Sequence, residues 1–339
     1  EKPRTPGVKG LIKNYLSIYK QFPKKLKKLS GDFDIVISHC ISPIFTMRGI
    51  KKFCKKRNIP HMHYGLDIWP ESFAATGYLK KKSLLFKIIK SYSVKLYKTC
   101  DLITFASPCV EEYFKNELKV NVPFRHIYQP CLTKKPDFEV VDKFDFNHDG
   151  KKHILFCGTI ARFSHLEFII NAFKNTQIKD NFIFDIVGSG SELENTQNLV
   201  KELGLEESVI FHGRVPSEET VKFYLNSDFL FVPLYQNSVT SKMIPQKVIE
   251  YFMYAKPIVG MLGGDGKALI EQASNGNIIC DQTVESLETG LIKALSFNGS
   301  ELKKYGIDNY RFFENNVRFS LDAVCKELLE SAQNLLDSK

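Results

Sequence analysis

Short apolar runs alternate with longer amphipathic stretches along most of this chain of 339 residues. In the second half, KKHILFCGTI, FIFDIVGSGS, VIFHGRV, DFLFVPL, KPIVGML and GNIIC read as strands. Between them LEFIINAFKN, ELENTQNLVKELGL, SEETVKFYLNS, PQKVIEYFMYA and GKALIEQAS carry helical spacing. Strands that alternate with helices of this length predict a parallel sheet with crossover helices. Near-continuous apolar strands predict a sheet buried on both faces. The first half alternates less completely: FDIVISHC, IPHMHYGLDI, DLITFAS and RHIYQP read as strands. TMRGIKKFCKKRN, SLLFKIIKSYSVKLYKTC and VEEYFKNELK read as the helices between them. The polar stretch Lys143–Lys152 marks a boundary between the halves. The end of the chain, Asn309–Leu336, reads as one or two amphipathic helices, and no internal repeat is visible. Most of the strands end near Gly, Pro or Ser, and ligands of such sheets bind outside the carboxyl ends.

Composition adds limits to that pattern. Hydrophobic residues make up 43% and charged residues 25%, the range of a soluble globular protein. None of the 8 cysteines forms a Cys-x-x-Cys pair, and Cys157 lies inside an apolar run. Free thiols in a reducing compartment fit this better than a disulfide or zinc framework. No apolar stretch approaches the roughly 18 residues that span a bilayer. No signal peptide opens the chain, whose first residues EKPRTPG read like the middle of a protein. Residues 1–150 hold 28 Lys and Arg against 14 Asp and Glu, whereas the remainder holds 19 against 24. Two modules with different partners are expected, the basic one suited to phosphate, nucleic acid or an anionic membrane surface.

The segments FCGTIARFSHLEFIINAF, FDIVGSGSELE, VIFHGRVPSEE, DFLFVPL, PQKVIEYFMYAKPIVGMLGGDGKALIE and NGNII together resemble the donor-binding domain of family-4 retaining glycosyltransferases. The segment HYGLDIWPES resembles the Asp-x-Trp-Pro-Glu stretch of bacterial surface-polysaccharide enzymes of the colanic-acid and N-acetylfucosamine transferase type. The resemblance implies an α/β protein with the GT-B fold, two Rossmann-like domains facing a cleft. Residues 1–145 would form the acceptor-side domain, 150–308 the nucleotide-sugar-binding domain, and 309–339 helices packing back on the first. Such proteins begin with a strand and a glycine-rich turn roughly 70–80 residues further upstream, so the first strands of the acceptor-side domain are expected to be missing. The implied activity moves a hexose or N-acetylhexosamine from a UDP-sugar, with retention, to a lipid-linked or saccharide acceptor. Two alternatives stay open: a UDP-sugar epimerase on the same fold, and a non-catalytic transferase-like binding module.

The site follows from the same motifs. Gly158 and Arg162 stand at a strand-to-helix turn, where backbone N–H groups and a forked cation suit a diphosphate. The resemblance assigns that turn to the donor diphosphate, with Lys247 as a second cation. Glu250, one helical turn after Lys247, is implied to accept the ribose hydroxyls. Where many family members carry a second Glu that contacts the sugar, this chain has Lys242. Gly264, Asp265 and Gly266 open a turn whose amides can hold the sugar or a phosphate. Gly188 ends another strand, and Arg214 and Val215 are expected beside the nucleobase. His63, Asp67, Trp69 and Glu71, at or near the end of a first-half strand, are the candidates for acceptor or donor sugar. The catalytic set is Arg162, Lys247, Glu250 and Asp67. No Asp-x-Asp or His/Cys cluster has metal-ligand spacing, so neither metal nor cofactor is expected. Lys80, Lys81, Lys82 and Lys87 border a basic amphipathic helix suited to an anionic membrane. A peripheral position at the cytoplasmic face follows, and no recognition motif points to nucleic acid.

Overall fold

The structure, a computed structural model, describes residues 7–40, 43–75, 77–132, 135–136, 150–234 and 239–338. It divides into two units, residues 1–129 with 322–339, and residues 130–321. The expected boundary stretch lies mostly in 143–149, outside the described residues.

The first unit holds four parallel strands in the order of the chain: β1 (Val36–Cys40), β2 (His61–Gly65), β3 (Leu102–Phe105) and β4 (Phe124–His126). Its helices are α1 (Gly7–Leu26), α2 (Met47–Arg57), α3 (Glu71–Ala75), α4 (Leu84–Tyr97) and α5 (Pro108–Asn116). Local signals set their ends. The Ser83 hydroxyl accepts the Phe86 N–H at the start of α4, and Pro108 opens α5 where no helical donor is needed. The strand–helix alternation does not anticipate α1. It precedes the first strand of the alternation, and its buried face includes Asn14 and Ser17 beside Leu11.

The second unit begins with β5 (Lys152–Thr159), α6 (Glu167–Ala172), α7 (Thr176–Asn181), β6 (Phe182–Ser189) and α8 (Leu193–Glu202). β7 (Val209–Gly213), α9 (Ser217–Asn226), β8 (Phe229–Pro233), α10 (Gln246–Met253), β9 (Ile258–Met261) and α11 (Gly264–Ala273) follow. The last elements are β10 (Ile278–Ile279), α12 (Val284–Leu295) and α13 (Gly299–Asn315). All six strands are parallel, in the order β10-β9-β8-β5-β6-β7. Phe182, Phe184, Phe229 and Phe231 are fully buried in its core, as expected for strands covered on both faces. The order reverses between β5 and β8. A parallel sheet opens a crevice at the carboxyl ends of two strands whose crossovers run to opposite faces.

The final helices divide differently from the expected 309–339 group. α13 belongs to the second unit, where fully buried Asn309 donates to the Lys256 carbonyl at 2.8 Å and pairs with Asn277. A helix held by a satisfied buried amide network does not detach from its sheet cheaply. α14 (Leu321–Asp337) falls almost wholly in the first unit, where Val324 and Ala332 pack with Met62, Tyr64 and Ile127.

Candidate functional site

The carboxyl end of β5 is shaped by glycine. Gly158 pairs with Gly188 of β6, and a Cβ on Gly188 would stand 1.8 Å from the Gly158 carbonyl oxygen. The φ of Gly188, +146°, also disfavours any side chain. The two backbones therefore end side by side without side chains between them. The chain then turns through a short 3-10 segment, Arg162–Ser164. The buried Ser164 hydroxyl donates to the Ala161 carbonyl at 2.6 Å and accepts the Ala161 N–H at 3.2 Å, which holds the turn. Arg162 is exposed on it.

Lys247 comes to the same strand end from α10. Its ammonium donates to the Cys157 carbonyl and lies 3.2 Å from the position of a Cβ on Gly158. The Tyr251 ring lies 5.7 Å below it. Glu250, one turn further along α10, is half-buried. A bare glycine, a cation at its edge and an arginine on the next turn form a place for an anion.

Lys242 ends a 3-10 turn and is exposed, and its backbone packs on the GGDG turn. A Cβ on Gly264 would approach the Lys242 Cβ to 2.5 Å, and the Gly264 φ is +61°. Gly266 is buried behind it, and Asp265 is half-buried in the first turn of α11. Gly264→Ala is expected to strain this turn by roughly 1–3 kcal/mol. The strain should appear as a lower urea midpoint for unfolding of the variant than of the parent. Arg214 is exposed and Val215 half-buried just past β7, at the same end of the parallel sheet.

The first-unit candidates are placed differently. His63 is buried within β2, and its Nδ1 meets the Ser38 hydroxyl at 3.0 Å. His61 Nε2 meets the same hydroxyl at 2.7 Å. Burial, reinforced by the neighbouring His61 and His39, lowers His63 to about 3. Burial lowers His61 to about 4, against a smaller pull from Asp101. Trp69 is buried in a stack with Phe73, ring centroids 5.3 Å apart, and its backbone N–H donates to the Tyr97 hydroxyl at 3.0 Å. Glu71 is buried, accepts the Tyr113 hydroxyl and lies 3.5 Å from the Lys90 ammonium. His63, Trp69 and Glu71 are thus buried, and each keeps one buried side-chain polar atom without a hydrogen-bond partner among the described residues: His63 Nε2, Trp69 Nε1 and Glu71 Oε2. Asp67 is half-buried, with its carboxyl raised by burial and partly restored by a Ser72 hydrogen bond.

The lysine face is open. Lys80, Lys81, Lys82 and Lys87 are exposed, and so are Leu84 (73%), Leu85 (57%) and Ile88 (56%) of α4. One polar cluster carries no signal in the sequence: Asp185 lies between His153 at 2.6 Å and His212 at 2.6 Å. Burial pushes the Asp185 carboxyl up, but hydrogen bonds from both imidazoles outweigh it and hold it below its usual value. Three separate strands bring these residues together, so no local spacing could reveal them. Among the described residues, no group of three or more His, Cys, Asp and Glu is arranged to hold a metal ion. Among them, too, no helix is long and apolar enough to cross a membrane.

The family model for glycosyl transferases group 1 matches residues 139–311, just over half of the chain. The chain belongs to this family. An uncharacterized glycosyltransferase of Haemophilus influenzae is 26% identical over 322 residues, 94% of this chain and 81% of the relative. The fold resembles that of sucrose-phosphate synthase from Thermosynechococcus elongatus, with a TM-score of 0.74 at 14% identity over 96% of this chain and 80% of the other. HepE of Anabaena, solved with UDP-glucose, gives a TM-score of 0.70 at 12% identity over 98% and 84%. The two parallel-sheet units of this glycosyltransferase are the Rossmann-like domains of a GT-B fold. Within the family the β5 end, α10 and the GGDG turn all fall inside the matched residues.

Proposed function

We propose that this protein transfers a hexose or N-acetylhexosamine, with retention, from a UDP-sugar to a lipid-linked or saccharide acceptor in the assembly of a surface polysaccharide. The observation that carries this reading is the Lys247 ammonium at the edge of Gly158, with Arg162 on the next turn. Two cations and a side-chain-free strand end suit the diphosphate of a departing nucleotide. Glu250 would accept the two ribose hydroxyls, and the amides of Gly264, Asp265 and Gly266 would hold the transferred sugar or its phosphate. Gly188 keeps the strand end open, and Arg214 and Val215 would border the base. The neighbour solved with UDP-glucose supports a uridine nucleotide. The acceptor hydroxyl would attack from the face the diphosphate leaves, and the donor's own phosphate oxygen would take its proton. Fixed charge at the leaving group then supplies most of the acceleration, and no metal or cofactor enters.

Mass spectrometry of products from a panel of nucleotide sugars, with a lipid-diphosphate acceptor, tests this reading. A glycosylated acceptor with release of UDP is the expected result. An epimerised nucleotide sugar formed without acceptor overturns it, and so does calorimetry that finds no UDP binding.

The same reading places the enzyme at the cytoplasmic membrane face, supported by exposed Leu84, Leu85 and Ile88 among exposed lysines. Apolar residues open to water beside a basic run suit an anionic bilayer. Binding to anionic vesicles should weaken as salt rises, because the Debye length is only about 8 Å at physiological ionic strength. Changing Lys80, Lys81, Lys82 and Lys87 together to Gln should weaken it more than about tenfold, with activity on a water-soluble acceptor retained. Equal co-sedimentation of the variant and the parent sinks the membrane assignment.

A further inference from the structure

A cavity of about 490 Å³ opens in the first unit between α1 and α4. Every residue that lines it is Leu, Ile, Phe, Trp or Tyr. Its wall is aromatic: Tyr15 meets Trp69 edge to face at 5.8 Å, Phe45 lies 5.7 Å from Trp69, and Phe73 stacks on it. Its size falls within the roughly 300–1,000 Å³ of ligand pockets, but it lacks the convergent polar groups that orient a polar ligand.

The lining continues outward onto open surface. Ile12 and Leu16 of α1, each 51% exposed, and Leu85 of α4, 57% exposed, belong both to the lining and to the surface. Leu84 and Ile88 extend that apolar surface along α4. Charge surrounds it: Lys13 and Lys20 are exposed on α1, and Lys80, Lys81, Lys82 and Lys87 at and before α4. Residues 1–98 contain 22 Lys and Arg against 5 Asp and Glu. A hydrocarbon slot in a strongly basic surface complements a molecule with an apolar tail and an anionic head.

We propose that this pocket takes the end of one hydrocarbon chain of an anionic membrane lipid, drawn from the bilayer on which the lysine face rests. The inference rests on the membrane reading above and adds a binding site to it. One chain alone, or one basic patch alone, gives marginal and reversible membrane binding, whereas a chain with a polybasic patch anchors stably. Here the protein would supply the patch and the bilayer would supply the chain.

Trp69 is the sole tryptophan of the protein and part of the cavity wall, so its emission reports occupancy directly. The full chain is mixed with phosphatidylglycerol vesicles whose acyl chains carry bromine, with unbrominated vesicles as control. It is also mixed with a brominated dodecyl phosphate kept monomeric in solution, and co-sedimentation is measured separately. The expected result is loss of most Trp69 emission with both brominated probes and none with the control. Ile12→Glu and Leu16→Glu, at exposed positions of the lining on α1, should abolish the quenching while the protein still sediments with anionic vesicles. Sedimentation without quenching by either probe overturns the pocket and leaves the membrane reading standing. Quenching by the soluble probe without sedimentation overturns the bilayer as source of the chain. Equal quenching by brominated phosphatidylcholine vesicles overturns the requirement for an anionic lipid.

Discussion

Arg162→Ala is expected to lower turnover by about 10²-fold or more, the usual cost of removing one charge-stabilising donor from an active site. The side chain is exposed on a turn that the Ser164 hydroxyl holds independently, so thermal stability should not change. A drop in kcat shows that the guanidinium acts as charge develops on the departing diphosphate. A higher KM with kcat unchanged shows that it binds donor and transition state alike. Arg162→Lys should recover only part of the rate, because an ammonium lacks the planar fork that matches a phosphate edge. Lys247→Ala is a less clean probe, since that ammonium also donates to the Cys157 carbonyl and its loss touches the backbone of β5. Unchanged turnover in folded Arg162→Ala removes Arg162 from the mechanism.

The second unit was legible because each strand is a continuous apolar run and each helix an amphipathic one. All six of its strands are readable as such, whereas two of its helices and residues 299–308 of α13 are not. α7 is six residues long, too short for a helical period to register. α12 follows the strand GNIIC, and its one local start signal is Thr283, whose side chain accepts the Ser286 N–H. Gly158, Gly188 and Lys247 meet at the carboxyl end of β5, beside the point where the sheet order reverses. The first unit was harder to read. HMHYG looks like a strand with two histidines to offer, and only the neighbouring strand shows that Ser38 lies between them. Trp69 and Glu71 stand in a motif that resembles a sugar site, and their burial follows from Phe73, Tyr97 and Tyr113, all distant or unmarked in the sequence. The apolar cavity could not be read because its walls come from four separate segments.

Acidification should destabilise the first unit well before the second, through His61 and His63. Both are neutral in the fold, with pKa values lowered to about 4 and about 3 by burial. In the unfolded chain each titrates near its ordinary value of about 6.5. Above that pH both states are neutral and the pair contributes no pH dependence. As pH falls below about 6.5 the unfolded chain binds protons that the folded unit does not, so stability falls with pH, by up to about 1.4 kcal/mol per pH unit for each histidine. The loss continues to about pH 4 for His61 and about pH 3 for His63. Asp185, the depressed carboxylate of the second unit, acts in a lower window: its stabilisation is intact above the unfolded value of about 3.9 and is lost as pH falls through the folded one. The emission of Trp69 follows unfolding of the first unit alone, because that unit holds the single tryptophan. Urea unfolding read by this signal should give a midpoint that is level near pH 7 and drops as pH falls from about 6.5 to 5. His61→Gln keeps a hydrogen-bonding side chain beside Ser38 and removes one titration, so the slope against pH should fall by about half. An unchanged slope in that variant assigns the acid sensitivity to other groups and removes the buried histidine pair as its cause.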